Sequence, residues 1–405
     1  MVLSMKFSRD LLKNLTANIT DGEHASVIDD PEGNYYLLSN KNIIDGSIKF
    51  DNTDRVISKT SFEKINKRTK LNKDDVVLST VGTIGKAAII RDQIINYDFQ
   101  RSVGIIKCDL KKLRPEYLYY YFNQKFVQKR LVNVSKGAVQ KCLFINDLES
   151  LLIDYPKDPN YQLKITNILS ALDAKIELNN RINAELEAMA RTLYDFWFVQ
   201  FDFPDKNGKP YKTSGGKMVW NEVLKREIPE GWEVDTLLGM ADVTTGKLDS
   251  NAEVLGGQYP FYTCASEPST IDHYEFDDSV ILIAGNNANG NFHVNRYKGK
   301  FNAYQRTYIV TVKDGINLEY LYQVINRRMK LLKSQGKGSQ TKFLTLGMIT
   351  ETNTLKCKNE VMNNFHEIVN PLYEKQINIL FQNKHFEELR DWLLPMLMNG
   401  QVKVV

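Results

Sequence analysis

The sequence predicts a mixed α/β protein of the α+β class, built from two similar globular domains and two long coiled-coil helices. Two heptad patterns recur 200 residues apart, and short β-type segments recur in the same order within each half of the chain. A length of 405 residues accommodates two or three domains of ordinary size. The repeat and the length therefore agree on two domains and a helical region.

The two long helices are predicted from apolar residues at intervals of seven. A seam that continues over several heptads is typical of a coiled coil, and packing one helix against the other would bury both seams. A companion row is expected three residues further on, starting at Ile168 and Ile368. Asn179 lies where its repeat counterpart is Ile379, and such a polar residue fixes register at some cost in stability. The seam positions are Ile165, Leu172, Asn179, Leu186 and Leu193 in the first helix, and Phe365, Leu372, Ile379, Phe386 and Leu393 in the second.

The predicted segments follow one another as domain, helix, linker, domain, helix. The first globular domain is expected at 1–157 and the first long helix at 158–200. Turn-forming Gly, Pro and Asp residues then predict a linker at 201–227. The second domain is expected at 228–358 and the second long helix at 359–405. Each domain therefore leads directly into its own long helix.

Each half of the chain places polar side chains on a matching set of loops. A strand enters a glycine-rich loop at 82–86 and again at 285–290, a Gln-Arg pair follows each, and a second small loop precedes each long helix. Gln and Asn suit the edge of adenine, Arg and Lys suit guanine, and lysines also bind phosphates. A simple turn-forming role is the alternative for any single Asn or Gln. The candidate DNA-binding residues are Thr83, Lys86, Gln100, Arg101, Lys136, Gln140 and Lys141 in the first half, and Asn287, Asn289, Gln305, Arg306, Lys337, Gln340 and Lys342 in the second.

The distribution of charge indicates a polyanionic partner more clearly than the net charge of +4 does. Residues 101–141 contain 10 basic and 2 acidic side chains, and residues 306–342 contain 8 basic and 2 acidic ones. Two basic strips at corresponding places suit a partner with two contact points. The alternative interpretation is that both strips are solvated helix faces.

The sequence contains no recognisable catalytic or metal site. The loop at 82–86 has two residues between its glycines and Ala87 after its lysine, so it is not a phosphate-binding P-loop. The 5 histidines lack metal-ligand spacing, the 4 cysteines form no CxxC pair, and the Asn/Asp-Pro-Pro-Tyr/Phe signature of amino-methyltransferases is missing. No run of 18 apolar residues occurs, and residues 1–10 contain no apolar core flanked by a cleavage site. We therefore expect a cytoplasmic, non-catalytic chain without a bound metal or a membrane segment.

Taken in order, these motifs resemble the Type I restriction-modification specificity subunits, the HsdS family. The resemblance covers nearly the whole chain. The segments that carry it are the glycine loop at 82–86, the loop at 137–143, the end of the first helix at 193–198, the linker at 203–211, and the Ile-Pro-Glu-Gly-Trp-Glu-Val segment at 228–234.

The resemblance implies two target-recognition domains of mixed α/β structure, separated by an antiparallel pair of helices in a pseudo-twofold arrangement. It also implies that the chain reads a bipartite, asymmetric sequence in double-stranded DNA. Two modification subunits that bind S-adenosylmethionine, and restriction subunits that use ATP with Mg, would be its partners. The helices would be the spacer and the docking site for the modification subunits, and no cofactor would bind this chain itself.

Two other hypotheses remain open from the residues alone. A coiled-coil scaffold could carry basic domains that bind protein or structured RNA, and sequence-selective binding of duplex DNA would argue against it. An enzyme with an unrecognised active site would be supported by methyl transfer from the purified chain alone.

Overall fold

The computed structural model describes residues 7–137, 141–287, 292–335 and 342–404. These residues form two compact units, and the boundary between the units falls inside both long helices. Unit 1 contains the described residues up to Asn179 and from Phe381 onward, and unit 2 comprises Asn180–Leu380. Each unit therefore includes one half of each long helix.

Unit 1 is built around a four-stranded antiparallel sheet in the order β2-β10-β7-β8, with a three-stranded sheet β6-β3-β9 and the pairs β1-β11 and β4-β5. Its strands are β1 (Phe7–Leu11), β2 (Thr16–Asp21), β3 (Tyr35–Leu38), β4 (Ile43–Ile44), β5 (Ser47–Ile48), β6 (Arg55–Ile57), β7 (Val76–Ser79), β8 (Ala87–Ile89), β9 (Tyr97–Phe99), β10 (Val103–Cys108) and β11 (Leu152–Pro156). Its helices are α1 (Lys59–Thr69), α2 (Pro115–Asn123), α3 (Lys125–Val134), α4 (Ile145–Glu149) and the first half of α5 (Pro159–Tyr194).

Unit 2 contains a six-stranded sheet in the order β15-β21-β18-β20-β16-β17 and the pairs β12-β13, β14-β23 and β19-β22. Its helices are α6 (Leu237–Met240), α7 (Leu318–Gln335), α8 (Leu346–Thr350) and the first half of α9 (Asn359–Met398), and a π-helical turn at Asp195–Val199 continues α5. Its strands are β12 (Met218–Asn221), β13 (Arg226–Pro229), β14 (Glu233–Thr236), β15 (Ala241–Thr245), β16 (Tyr259–Tyr262), β17 (Ser269–Ile271), β18 (Phe276–Ala284), β19 (Asn286–Asn287), β20 (Val294–Ala303), β21 (Thr307–Val312), β22 (Lys342–Phe343) and β23 (Asn353–Lys356).

The two units share one topology, which confirms the predicted fold class of two similar mixed α/β domains with two long helices. In both, four strands pair antiparallel in the same order, β2-β10-β7-β8 in unit 1 and β15-β21-β18-β20 in unit 2. A parallel pair extends each sheet system, β3 with β9 and β16 with the end of β20. Unit 1 inserts α1 between β6 and β7, whereas unit 2 passes directly from β17 to β18.

Hydrophobic burial holds each half of the long helices to its own unit. In unit 1, Ile165 and Leu169 of α5 share a buried cluster with Leu394 and Leu397 of α9 and with the aromatic face of α2. In unit 2, Trp197 lies in the π-helical turn after α5 and belongs to a buried cluster that also contains residues from the start of α9. Burial of a large apolar side chain stabilises a fold by about 1.5–3 kcal/mol, so these contacts dominate the energetics of the helical region.

The ten predicted seam residues are all buried or half-buried, but the companion row lies four residues after them rather than three as predicted. Leu169, Val369 and Leu397 are buried, whereas Met189 and Ile368 of the predicted row are exposed. An α-helix completes a turn in 3.6 residues, so positions three and four residues on both lie near the seam. Sequence periodicity alone did not decide between them.

Polar contacts show that α5 and α9 run antiparallel within each unit. In unit 1, Asn179 Nδ2 donates to Asn383 Oδ1 at 2.8 Å, and Arg390 Nη1 donates to Asp173 Oδ1 at 2.9 Å. In unit 2, Gln376 Nε2 donates to the carbonyl oxygen of residue 183 at 3.0 Å. The lower-numbered residue of one helix thus meets the higher-numbered residue of the other. The hydrogen-bond partner of Asn179 is therefore Asn383, four residues beyond the repeat counterpart of Asn179.

Replacing Asn179 by leucine should lower the free energy of unfolding by about 1–3 kcal/mol. The reason is that the side-chain oxygen of Asn383, Oδ1, loses the hydrogen bond from Asn179 Nδ2 in a buried seam. The double substitution Asn179→Leu and Asn383→Leu should cost less than the sum of the two single changes. Urea unfolding of all three variants measures the difference. Strict additivity would mean that the two amides do not stabilise each other.

Candidate nucleic-acid interface

Three predicted loops of unit 1 meet at the end of β7, although they are far apart in sequence. The Thr80 N–H donates to the Ser102 carbonyl oxygen at 2.9 Å, and the Leu143 N–H donates to the Thr80 carbonyl oxygen at 2.8 Å. The Gly82 N–H donates to the Lys141 carbonyl oxygen at 3.0 Å. Backbone hydrogen bonds therefore assemble the glycine loop, the Gln-Arg turn and the pre-helix loop into one surface, which we call surface 1.

The glycine loop of surface 1 is held in place from α3. Gln128 Nε2 donates to the carbonyl oxygens of Gly85 at 2.8 Å and Phe122 at 2.6 Å. Gly85 has a φ of +92°, and a Cβ at this position would lie 2.5 Å from Gln128 Oε1. Glycine is therefore required where the loop turns back toward β8.

Most candidate side chains of surface 1 point to solvent. Lys136 is the cation with nearby partners, since its Nζ lies 3.8 Å from Asp147 Oδ1 and 5.8 Å from the centre of the Phe144 ring. Lys86, Arg101 and Lys141 have no ion-pair partner among the residues that the structure describes. Gln100 is half-buried, and Gln140 lies outside the described residues. The exposed candidates are Thr83, Lys86, Arg101, Lys136 and Lys141.

Unit 2 builds an equivalent surface, surface 2, at the end of β18. The Gly285 N–H donates to the Arg306 carbonyl oxygen at 2.8 Å, and the Leu344 N–H donates to the Gly285 carbonyl oxygen at 2.8 Å. Strand β19 pairs with β22, which aligns the backbones of Asn287 and Lys342. Gln305 and Arg306 are exposed on this surface. The candidates Asn289, Lys337 and Gln340 lie outside the described residues.

The predicted match between the two Gln-Arg pairs is wrong by one residue. The Arg101 N–H donates to the Glu23 carbonyl oxygen at 3.0 Å. In unit 2 the corresponding hydrogen bond runs from the Gln305 N–H to the Leu248 carbonyl oxygen at 2.9 Å. Arg101 is therefore the structural counterpart of Gln305, and Arg306 follows one position later. The identical Gln-Arg sequence in both halves suggested an alignment of the two units that their backbone hydrogen bonds do not follow.

Two glycines that the sequence did not single out fix this register. The N–H of Gly22 donates to Val103 at 3.0 Å in unit 1, and the N–H of Gly246 donates to Thr307 at 3.2 Å in unit 2. A Cβ on Gly22 would lie 2.1 Å from the Phe99 carbonyl oxygen at the end of β9, and one on Gly246 would lie 2.1 Å from the Ala303 carbonyl oxygen at the end of β20. Each glycine directly follows the edge strand of its sheet, β2 or β15, and this recurrence in the sequence could have identified both residues.

Replacing Gly246 by alanine should lower the free energy of unfolding by about 1–3 kcal/mol, because the added methyl group overlaps backbone that cannot rotate away. Gly347→Ala is the matched control in the same unit, since its Cβ would make only ordinary contacts from 3.4 Å outward. Thermal unfolding of both variants measures the contrast. Equal melting temperatures for the two variants would contradict the close approach at Gly246.

The basic strips seen in the sequence contain fewer available cations than their composition suggests. In unit 1, Lys107 pairs with the buried Asp75, and burial raises the pKa of that carboxyl group while the lysine opposes the shift. Lys112 lies 3.2 Å from Asp109. In unit 2, Arg327 Nη1 donates to Asp195 Oδ1 at 2.7 Å. These cations are therefore paired within the fold, whereas Arg101 and Lys141 of the first strip and Arg306 of the second have no ion-pair partner among the described residues.

The described residues contain no group of three or more His, Cys, Asp or Glu side chains arranged to hold a metal ion. Within the same residues, no helix is both long enough and apolar enough to cross a membrane. Burial raises the pKa of the Cys357 thiol to about 12, so this cysteine is a core residue rather than a nucleophile.

Comparison with known proteins gives consistent matches. Residues 28–188 and 229–353 match the family model described as the Type I restriction modification DNA specificity domain. The Type I restriction enzyme MjaIX specificity subunit of Methanocaldococcus jannaschii is 26% identical over 356 residues, which cover 82% of this chain and 78% of that protein. The EcoDI specificity subunit of Escherichia coli is 41% identical over 125 residues, 31% of this chain and 27% of that protein. The crystal structure of the Type I restriction-modification S subunit from M. genitalium shares the fold, with a TM-score of 0.58, 19% identity, and coverage of 98% of this chain and 97% of that one.

Proposed function

Because this chain belongs to the Type I restriction-modification DNA specificity family, we propose that each of its two units reads one half of a bipartite, asymmetric DNA target. The chain is a specificity subunit, the non-catalytic DNA-recognition component of a Type I restriction-modification complex. The observation that carries the proposal is the pair of equivalent loop surfaces, one at the end of β7 and one at the end of β18.

The chemistry of the two surfaces suits duplex DNA. Arg101 on surface 1 and Gln305 with Arg306 on surface 2 are exposed, and such groups hydrogen-bond to base edges in the major groove. Lys86 and Lys141 on surface 1 suit phosphate contacts, which set register without reading sequence. A surface that combines both kinds of group supports sequence-selective binding over general attraction to polyanions.

The one-residue shift between the two Gln-Arg pairs bears on whether the two DNA half-sites have the same sequence. At equivalent backbone positions, unit 1 presents Arg101 and unit 2 presents Gln305. Arg pairs bidentately with guanine, whereas Gln pairs with adenine. The two half-sites should therefore differ in sequence even though the two surfaces share one backbone plan.

The assembly and its partners follow from the same proposal. Double-stranded DNA, two modification subunits that bind S-adenosylmethionine, and restriction subunits that use ATP with Mg would complete a cytoplasmic complex. Helices α5 and α9 would hold the domains 1–157 and 228–358 apart and dock the modification subunits. Leu380, Phe381 and Trp392 of α9 are 60%, 64% and 56% exposed, and exposed apolar side chains of this size suit a protein interface.

Selection of bound duplexes from a random DNA library tests the proposal. The chain assembled with its modification subunit should enrich two short, different sequences separated by an unselected stretch of constant length. A single continuous sequence would contradict the two-unit proposal. Enrichment of no sequence, or equal competition by structured RNA, would favour a scaffold with basic domains instead.

A further inference from the structure

Each loop surface carries one large aromatic side chain that is more than half exposed. Phe144 on surface 1 is 54% exposed, and Phe343 on surface 2 is 53% exposed. Each ring lies beside a cation of the same surface, at 5.8 Å from Lys136 Nζ to the Phe144 ring centre and 5.2 Å from the Arg306 guanidinium carbon to the Phe343 ring centre. Neither residue was singled out by the sequence pattern.

The backbone explains why both rings face away from the protein core. Leu143 and Leu344 are equivalent, because each donates its N–H to the carbonyl oxygen of the residue directly after the corresponding strand, β7 or β18, and they are 4% and 5% exposed. Phe144 follows the first leucine and Phe343 precedes the second. Successive side chains of an extended segment point to opposite sides, so the neighbours of a buried leucine point outward. Both units therefore place a phenylalanine on the outward side next to the buried leucine, although it follows the leucine in unit 1 and precedes it in unit 2.

We propose that Phe144 and Phe343 are specificity-determining residues, each of which contacts the methyl group of a thymine in its half-site. The inference rests on the proposed function. A phenylalanine ring exposed on a DNA-reading surface can make apolar contact in the major groove, and the thymine methyl is the apolar group that base pairs present there. The adjacent cation and amide groups bind phosphates and base edges, so they bring the ring against that groove. Each half-site must then contain a thymine.

A cycle of protein and DNA changes tests the contact at Phe343. The selected duplex is prepared with deoxyuridine in place of each thymine of the second half-site in turn, which removes one methyl group. Loss of one buried methyl should weaken binding of the unsubstituted assembly about fourfold at one position. Phe343→Ala should bind the two duplexes equally, because the methyl then has no ring to contact. Phe144→Ala should do the same for the first half-site alone.

Matched controls separate this contact from a general loss of apolar surface. Leu238→Ala removes a side chain that is 48% exposed at the other end of β15, and Leu110→Ala removes one that is 54% exposed beyond β10. Both controls should keep the full methyl dependence. Unchanged methyl dependence in Phe343→Ala, a half-site without thymine, or weaker capture of the modification subunit with unchanged DNA selectivity would overturn the inference while leaving the proposed function standing. Failure of the unsubstituted assembly to select any DNA would overturn both.

Discussion

Glu319→Gln should lower the free energy of unfolding by about 3–5 kcal/mol, because it leaves a buried guanidinium without its counter-charge. Glu319 is 6% exposed, and its carboxylate accepts from Arg296 Nη1 at 3.2 Å and lies 2.7 Å from His366 Nδ1. Arg296 is 11% exposed, and its guanidinium carbon lies 3.6 Å from the centre of the Tyr373 ring. Burial lowers the pKa of Arg296, and the charge of Glu319 opposes that shift.

The position of the Arg296–Glu319 ion pair explains why its loss should destabilise unit 2 as a whole. Arg296 belongs to β20, Glu319 to the first turn of α7, and His366 and Tyr373 to α9, so one carboxylate joins the sheet of unit 2 to its long helix. Urea unfolding of the full chain measures the loss. His366→Gln is the matched control, since a ring that is 42% exposed should contribute about 0–1 kcal/mol. Similar losses for Glu319→Gln and His366→Gln would contradict the dominant role of Arg296.

Arg101→Ala should weaken binding to the correct first half-site by about 10- to 100-fold and relax the choice of base at one position there. The physical reason is the loss of bidentate hydrogen bonds from an exposed guanidinium, whose backbone is fixed at surface 1 because the Arg101 N–H donates to the Glu23 carbonyl oxygen. Binding of the assembled complex to duplexes with single base changes measures both effects. Assembly with the modification subunit should be unchanged, since the side chain lies on a loop at the end of the sheet.

Lys111→Ala provides the control for that prediction. Lys111 is exposed and belongs to the same basic strip in sequence, but it follows the other end of β10. Its removal should leave base selectivity unchanged. Gln305→Ala should relax selectivity in the second half-site alone. Loss of both half-sites from either Arg101→Ala or Gln305→Ala would refute the assignment of one surface to each half.

The heptads and the repeated β-segments were sufficient to predict the fold class, because periodicity reports which face of an element is buried. They were insufficient for contacts that depend on register. Asn179 meets Asn383 because two helices run antiparallel, and a repeat that aligns position 179 with 379 cannot show this. The companion row shifted from three to four residues for a related reason, since both spacings fit one helical face.

The candidate interface was predictable in outline but not in detail. The loops near Gly82, Arg101 and Lys141 were identified from glycine and polar residues, and backbone hydrogen bonds bring them together. The equivalence of Arg101 with Gln305 rather than Arg306 depends on backbone hydrogen bonds between distant segments. The identical Gln-Arg sequence in both halves suggested the other alignment. Phe343 was missed because an isolated phenylalanine in sequence is usually a core residue.

The most direct test of two-unit recognition is a genome-wide map of adenine methylation in cells that express this chain with its modification subunit. The map is repeated after residues 1–155 are exchanged for those of a relative. Two-unit recognition predicts a split methylated motif in which one half changes with the exchange and the other half is retained. A motif that is indifferent to the exchange, or the absence of a methylated motif, would contradict it.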